Sequence, residues 1–524
     1  MRKIKLLDCT LRDGGYVNNW RFGKSAIVKI IQQLTCAGVD IIECGFLEEC
    51  DYDEDCSFFN HVDQIAKFIP EERKGTTYVA MTRLGKYPIE SLSPYDGKSI
   101  DGIRVSFHFN EFEEAMDYCY QIKDKGYKVF IQPVGTTSYC DEMLLSLIHL
   151  VNKLQPYSFY LVDTLGLMHR EDVMRFFYLI NHNLDKSIHM GFHSHNNLQL
   201  SYSNCQSLTA LECDRVLSLD ASVYGMGRGA GNLNTELMAN YLNSHQNHRY
   251  EIEPLLEIID EYIAKIKANT DWGYTVPHYL AAINGCHPNY AAYLSSKQRL
   301  TIKNISTILR SIEKEKRSLF NKELAEKKYL EFQSREIDDK QSLEILKNQF
   351  EGKNVLVLAP GPSINEHKED IFKIVEQKKC LTISVGFVPL FMDCDYTFIS
   401  NLKRYHTTFN PSNKKINLIY TSNLAINEGN RLIVNYSSLL SENDLIMDNT
   451  AIMLLNLLIK LNPKSVYLAG LDGYSEKGNN FYQERLSMSN QDNAKDLNKA
   501  MALRIKEISS SLSISFLTPS LYDF

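Results

Sequence analysis

Ile4-Lys5-Leu6-Leu7-Asp8-Cys9-Thr10-Leu11-Arg12-Asp13-Gly14-Gly15 begins as a strand-like apolar run and ends in a charged pair followed by two glycines. Seven further strand-like runs follow: Val39 to Gly45, Thr77 to Arg83, Gly102 to Phe107, Lys128 to Pro133, Phe159 to Asp163, His189 to His193 and Arg215 to Asp220. Amphipathic, helix-like stretches separate them. Strands buried on both faces read as nearly continuous apolar runs, as Val39-Asp40-Ile41-Ile42 does. Eight βα units in ~240 residues predict an α/β chain beginning with a (β/α)8 TIM barrel. A doubly wound sheet is the structural alternative.

The chain has 524 residues, enough for two or three domains at ~150 residues each. Hydrophobic residues make up 44% and charged residues 23%, ordinary for a globular protein. A net charge of -7 spread over this length gives no reason to expect a nucleic-acid or membrane partner. No apolar run reaches the ~20 residues of a membrane span; Ala451 to Leu461 comes nearest. No signal peptide is read in Met1-Arg2-Lys3-Ile4-Lys5. The twelve cysteines are scattered and lack a CxxC pair, which fits a reduced, cytoplasmic protein. Cys44, Cys50 and Cys56 share a spacing of six, but no matching pair lies nearby to complete a tetrahedral site.

Four segments are read along the chain: 1–245 as the barrel, 246–310 as its helical extension, 311–350 as a charged connector, and 351–524 as a second α/β domain. The connector is rich in Lys and Glu, as in Glu313-Lys314-Glu315-Lys316-Arg317, and reads as a solvated helical spacer. In the last segment, strand runs are expected at Asn354 to Leu358, Leu381 to Val385, Tyr396 to Ser400, Asn417 to Tyr420 and Ser465 to Ala469, with a helix from about Asn449 to Leu461. That alternation predicts a Rossmann-like domain.

Barrel active sites lie at the C-terminal strand ends, where the first run places Arg12 and Asp13. Asp13 offers a hard oxygen ligand, and Arg12 a positive fork for a carboxylate or enolate oxygen. The seventh run ends in His193-Ser194-His195-Asn196-Asn197. Side chains i and i+2 of a strand point to the same side, so both imidazoles can face one metal ion. After the eighth run comes Tyr224-Gly225-Met226-Gly227-Arg228-Gly229-Ala230-Gly231-Asn232, then Glu236. Such a loop permits close backbone approach to a ligand. It is not a dinucleotide fingerprint, because it does not open a βαβ unit.

Taken together, the Leu-Arg-Asp-Gly motif, the HxH and the glycine-rich loop resemble the DRE-TIM metallolyase superfamily, which includes hydroxymethylglutaryl-CoA lyase, isopropylmalate synthase and 4-hydroxy-2-oxovalerate aldolase. The loop and the segment Pro288-Asn289-Tyr290-Ala291-Ala292-Tyr293-Leu294 look most like the aldolase. The resemblance spans about residues 1 to 310. It implies a divalent ion, Mn2+ or Mg2+, on Asp13, His193 and His195. It also implies catalytic roles for Arg12, Asp13, Tyr16 and Glu43, substrate contacts from Arg12, His108, Asn232 and Tyr290, and C–C bond chemistry through a pyruvate-type enolate. The ion would act as a Lewis acid while Arg12 offsets developing negative charge.

Two departures matter. Tyr16 stands where the aldolase has a histidine believed to act as base, and tyrosine is the poorer base at neutral pH. The lyase's cysteine loop is absent, which argues against a CoA thioester lyase.

In the second domain, Ala359-Pro360-Gly361-Pro362-Ser363 follows a strand directly, as a phosphate-facing turn would. With Asn449-Thr450-Ala451 and Ala469-Gly470-Leu471-Asp472-Gly473 it resembles the 6-hydroxymethylpterin pyrophosphokinase-like and bacterial sialyltransferase-like families. That resemblance implies a nucleotide or nucleotide-sugar ligand near Gly361, Pro362, Ser363, Asn449, Thr450 and Asp472.

The expected protein is thus a metal-dependent aldolase acting on a 2-oxo acid and an aldehyde, fused to a transferase-like domain, with surface-polysaccharide synthesis as one setting for the pair. A homo-oligomer is expected, and a pathway partner enzyme is conceivable. An acyl-CoA-dependent synthase and a non-catalytic nucleotide-binding scaffold with a vestigial barrel are the alternatives.

Overall fold

In the computed structural model, which describes residues 4–245, 249–270, 272–408, 417–424, 431–475, 480–481 and 493–523, the first run is β1 (Ile4–Asp8). There follow β2 (Ile41–Leu47), the two-residue β3 (Phe58–Phe59), β4 (Thr77–Arg83), β5 (Gly102–Phe107), β6 (Lys128–Pro133), β7 (Ser158–Asp163), β8 (His189–Ser194) and β9 (Leu217–Ala221). All pair in parallel in the order β1-β9-β8-β7-β6-β5-β4-β2-β3. β1 also pairs with β2, so eight strands close into a barrel and β3 hangs on the end of β2. The barrel alternative is therefore the observed one, and every barrel strand overlaps its expected run.

Outward-facing strand residues meet helices. The helix Lys24–Cys36, for example, buries Ala26, Ile27, Ile30, Ile31 and Leu34, the stripe an amphipathic helix turns inward. Inward-facing residues form a second, smaller core of Leu7, Cys9, Ile41, Val79, Phe130, Tyr160 and Val162. Charged Glu43, Arg104 and Asp220 alternate along these strands with the outward set and are 0–1% exposed. Their burial demands mutual pairing.

The chain divides into two compact units, Met1–Ala292 with Glu313–Phe320, and Tyr293–Ile312 with Asn321–Phe524. Unit 2 contains β10 (Asn354–Leu358), β11 (Leu381–Val385), β12 (Tyr396–Ile399), β13 (Leu418–Thr421), β14 (Arg431–Val434), β15 (Ser465–Ala469) and β16 (Ile514–Phe516). They form one parallel sheet in the order β14-β13-β12-β11-β10-β15-β16. The helix Thr450–Leu461 is buried along most of its length, and the Asn449 side chain caps it by accepting from the N–H groups of Ala451 and Ile452.

The expectation of a solvated connector is corrected here. The helices Lys322–Gln333 and Lys340–Phe350 bury Ala325, Tyr329, Leu346 and Phe350, and Leu346 and Phe350 belong to the core of unit 2. A narrow apolar stripe lies under the Lys and Glu residues. Among the described residues no helix is long and apolar enough to cross a membrane.

Candidate metal centre and active site

The turn after β1 is set by the N–H of Asp13 donating to the carbonyl of Cys9 at 2.8 Å. This turn carries Arg12 and Asp13 over the C-terminal end of the barrel. His193 is the penultimate residue of β8, and His195 lies just past the strand end, its N–H donating to the Asp163 carbonyl at 3.2 Å. One ligand atom each from Asp13, His193 and His195 lies within 4.8 Å of the others, and all three residues are buried. The two imidazoles stand edge to face, 5.2 Å between centroids.

A continuous network of charge supports this group. Arg12 donates from Nη1 to Asp13 Oδ1 at 2.5 Å and from Nε to Glu43 Oε2 at 2.8 Å. Glu43 Oε2 also meets Arg104 Nη1 at 3.0 Å, and Arg104 Nη2 donates to Asp220 Oδ2. The Asp220 carboxylate accepts from His193 Nδ1 at 3.0 Å. That bond places the His193 proton on Nδ1 and leaves Nε2 as the nitrogen with a lone pair.

Burial alone would raise the Asp13 carboxyl pKa, but the charges of Arg12, His195, His193 and Arg228 hold it below the usual carboxylate range. Burial lowers His195 to about 3, against the pull of Asp13. At neutral pH Asp13 therefore presents a carboxylate and His195 a neutral imidazole, the protonation a metal requires.

The glycine-rich loop docks on the HxH segment. Asn196 N–H donates to the Gly231 carbonyl at 2.8 Å, and His195 bridges to Asn232. Asn232 Nδ2 then donates to Asp13 Oδ2 at 2.7 Å and to the Met226 carbonyl at 3.0 Å. Gly227 permits this approach: a Cβ there would lie 2.3 Å from Asn232 Nδ2 and 3.1 Å from Asp13 Oδ2.

The residues fit a divalent cation with nitrogen and oxygen ligands. Besides the convergence of donors, buried polar atoms at this site, His195 Nδ1, Asn232 Oδ1 and Glu43 Oε1 among them, have no hydrogen-bond partner among the described residues. Buried groups of this kind are otherwise satisfied.

Of the other residues singled out by sequence, Tyr16 reaches the barrel mouth. Its ring stands against Trp20 at 4.8 Å, with the Arg228 guanidinium 5.0 Å from its centroid. His108 caps the short helix Phe109–Glu111 beyond β5, its N–H donating to Glu111 at 2.7 Å. None of its hydrogen bonds among the described residues reaches Asp13, His193 or His195. Tyr290 is corrected: it is fully buried and its hydroxyl donates to the carbonyls of Lys316 and Leu319 at 3.1 and 3.0 Å, so it anchors a chain segment instead of facing a ligand. Sequence reasoning gave no role to Arg104 or Asp220. The available signal was a charged residue inside each of two runs otherwise buried on both faces.

Unit 2 has a cleft of about 320 Å³ lined by Pro360, Gly361, Gly386, Asn401, Asp448, Asn449, Thr450, Asp472 and Tyr474, with Lys297, Arg299 and Arg404 among its cations. It lies beyond the C-terminal ends of β10, β11, β12 and β15. Strand order reverses between β10 and β15, the place where open parallel sheets bind ligands. A Cβ on Gly361 would lie 2.3 Å from the Gly470 carbonyl oxygen and 2.6 Å from Asp472 Oδ1. Ser363 donates from its N–H and Oγ to the Asp472 carboxylate at 2.8 and 2.5 Å. Ser363 and Pro362 do not line the cleft, because this capping turns the serine onto Asp472. Thr450 Oγ1 meets Ser400 Oγ at 2.9 Å, and Asn449 Nδ2 donates to the Tyr474 hydroxyl at 3.0 Å. Arg299 pairs with Asp448 at 3.0 Å.

Residues 104–260 match the family model described as HMGL-like. The oxaloacetate decarboxylase of Mycobacterium tuberculosis is 28% identical over 242 residues, covering 45% of this chain and 69% of the relative. The 4-hydroxy-2-oxovalerate aldolase of Geobacillus genomosp. 3 is 27% identical over 243 residues, covering 46% and 70%. Among solved structures, hydroxymethylglutaryl-CoA lyase from Pseudomonas aeruginosa is similar at 16% identity and a TM-score of 0.40, covering 56% of this chain and 98% of that one. Part of unit 1 is thus similar to the HMGL-like family, and its curated relatives include an oxaloacetate decarboxylase and 4-hydroxy-2-oxovalerate aldolases.

Proposed function

We propose that unit 1 is a divalent-metal-dependent aldolase or lyase that makes or breaks a C–C bond next to a 2-oxo acid, through a pyruvate-type enolate. The observation that carries this reading is the convergence of Asp13, His193 and His195 within 4.8 Å at the barrel mouth, with Arg12 bonded to Asp13. When bound, a Mn2+ or Mg2+ ion would polarise the substrate carbonyl as a Lewis acid.

The protein's own groups do the remaining work. Arg12 is fixed by Asp13 and Glu43 through Nη1 and Nε, so Nη2 remains for a carboxylate or enolate oxygen. The charge arrives already oriented and needs no reorganisation during reaction. Asn232 holds Asp13 from the opposite side. Tyr16, at the mouth, is the group we assign to proton transfer at the reacting carbon. The decarboxylase and aldolase relatives favour a pyruvate unit as the common part of the substrate, because both chemistries leave an enolate of that unit.

The test follows the methyl protons of pyruvate by NMR in D2O with Mn2+, beside Asp13→Asn and His193→Ala. Metal-dependent exchange that both variants lose is the expected result. Metal uptake without exchange would move the reading to other 2-oxo acids or to an acyl-CoA-dependent synthase. No uptake and no exchange would overturn it.

For unit 2 we propose a nucleotide or nucleotide-sugar ligand, supported by the cleft at the reversal of strand order and by its cations Lys297, Arg299 and Arg404. A thermal-shift panel of nucleoside mono-, di- and triphosphates tests this. Stabilisation by one base or phosphate class is expected, and a flat panel would sink it.

A further inference from the structure

Arg228 is the cation of the barrel mouth that the network described above does not use. Arg12 is paired with Asp13 and Glu43, and Arg104 with Glu43 and Asp220. Arg228 makes no ion pair among the described residues. It projects from the loop that grips Asp13, one residue after the glycine packed on Asn232. Its guanidinium lies over the Tyr16 ring, 5.0 Å from the centroid, and Tyr16 rests edge-on against Trp20 and Phe46. The arginine is thus seated over an aromatic ring at the mouth, partly open to solvent. A guanidinium held this way keeps N–H donors for a planar or tetrahedral anion.

Charge balance points the same way. Within the site, Asp13, Glu43 and Asp220 outnumber Arg12 and Arg104 by one. A divalent ion turns that single negative charge into a single positive one, which the carboxylate of a 2-oxo acid balances. Arg228 then adds a positive charge with no counterpart. Beside the buried charges of the site, such a charge selects for an anion.

Resting on the enolate reading above, we propose that Arg228 is a specificity-determining residue: it binds a second anionic group, a carboxylate or a phosphate, on the part of the substrate distal to the 2-oxo acid. The substrate class narrows to 2-oxo acids, or acceptor aldehydes, that carry a terminal negative charge.

The test uses the Mn2+-loaded full chain and two five-carbon 2-oxo acids of equal length. One is 2-oxoglutarate, with a distal carboxylate; the other is 2-oxopentanoate, without one. Affinity is read by calorimetry, and pyruvate methyl exchange is followed in parallel. The wild type is expected to bind the charged compound at least about tenfold more tightly, as a charge-assisted bidentate contact implies. In Arg228→Gln that preference should fall to about threefold or less, and Arg228→Lys should keep an intermediate value. The ratio is taken within each variant, so a general loss of rate or of folded protein cancels. A third compound, 2-oxo-4-phosphonooxybutanoate, sorts the sources: whichever anion gains more from Arg228 is the one the site was built for. A wild-type ratio near one, or an unchanged ratio in Arg228→Gln, would overturn the proposal. Preference without pyruvate exchange would move the enolate reading from pyruvate to other 2-oxo acids and leave the role of Arg228 standing. Exchange without preference would keep the enolate reading and overturn the role of Arg228.

Discussion

Asp220 accepts from His193 Nδ1 at 3.0 Å while the same carboxylate oxygen holds Arg104. A residue at the end of the last barrel strand thereby fixes the tautomer and tilt of a candidate metal ligand on the strand beside it. Partners of this kind tune metal affinity, and losing one typically costs about 10–100-fold. Asp220→Asn keeps the shape but removes the charge. It should weaken Mn2+ binding by about tenfold or more, read by electron paramagnetic resonance of free against bound ion. Unchanged affinity would mean that His193 is oriented by packing alone.

Arg104 is fully buried between two carboxylates. Arg104→Met leaves Glu43 and Asp220 buried without this cation, a change that costs about 3–5 kcal/mol. A lowered unfolding midpoint in urea measures it. The exposed pair Arg175–Asp141 serves as control, since removing such a pair costs about 0–1 kcal/mol.

Gly227→Ala should damage the site without touching a ligand. Its Cβ would displace Asn232 Nδ2, which has nowhere to retreat because Asn232 is 1% exposed. Asp13 then loses a hydrogen bond, and metal uptake should fall about tenfold at nearly unchanged far-UV circular dichroism. A variant binding metal as the parent does would show that the loop yields.

His287 gives a pH signature. Burial, aided by Arg228, lowers its pKa to about 3, against ~6.5 in the unfolded chain. Between those values the unfolded chain takes up a proton that the folded chain refuses. The folded state therefore keeps its full stability above ~6.5 and loses it as pH falls through the window, by at most about 1.4 kcal/mol per pH unit. His287→Asn should flatten this dependence. Trp20 and Trp272, the two tryptophans of the chain, both lie in unit 1, so their fluorescence during urea unfolding reports the relevant unit. Parallel pH profiles for parent and variant would discard the assignment.

Fold was more legible than site. The barrel strands could be read because residues covered on both faces leave continuous apolar runs, and Ile4–Asp8 or Gly102–Phe107 match to the residue. β14 and β16 escaped notice: they are four and three residues long, they lie at the sheet edges, and half-covered short strands leave little pattern. The segment around Lys322–Phe350 misled because its charges outnumber the few apolar residues that anchor it. In the site, Asp13 and the HxH stood out by position. Arg104 and Asp220 did not, because a buried ion pair depends on contacts across strands that no local spacing records. Tyr290 failed for the opposite reason: a plausible side chain in a plausible motif was already committed to backbone carbonyls.

The closure of β1 onto β9 also sets an order of events. Cys9 Sγ meets the carbonyl of Ala221, 212 residues later in the chain, and Asp13 follows four residues after Cys9. A ribosome must therefore complete β9 before the barrel that frames Asp13 and its imidazoles can close. Until then Glu43 and Arg104 lack the Asp220 that completes their set. A nascent barrel short of β9 consequently lacks the closed site, which can form while most of unit 2 is still to be made.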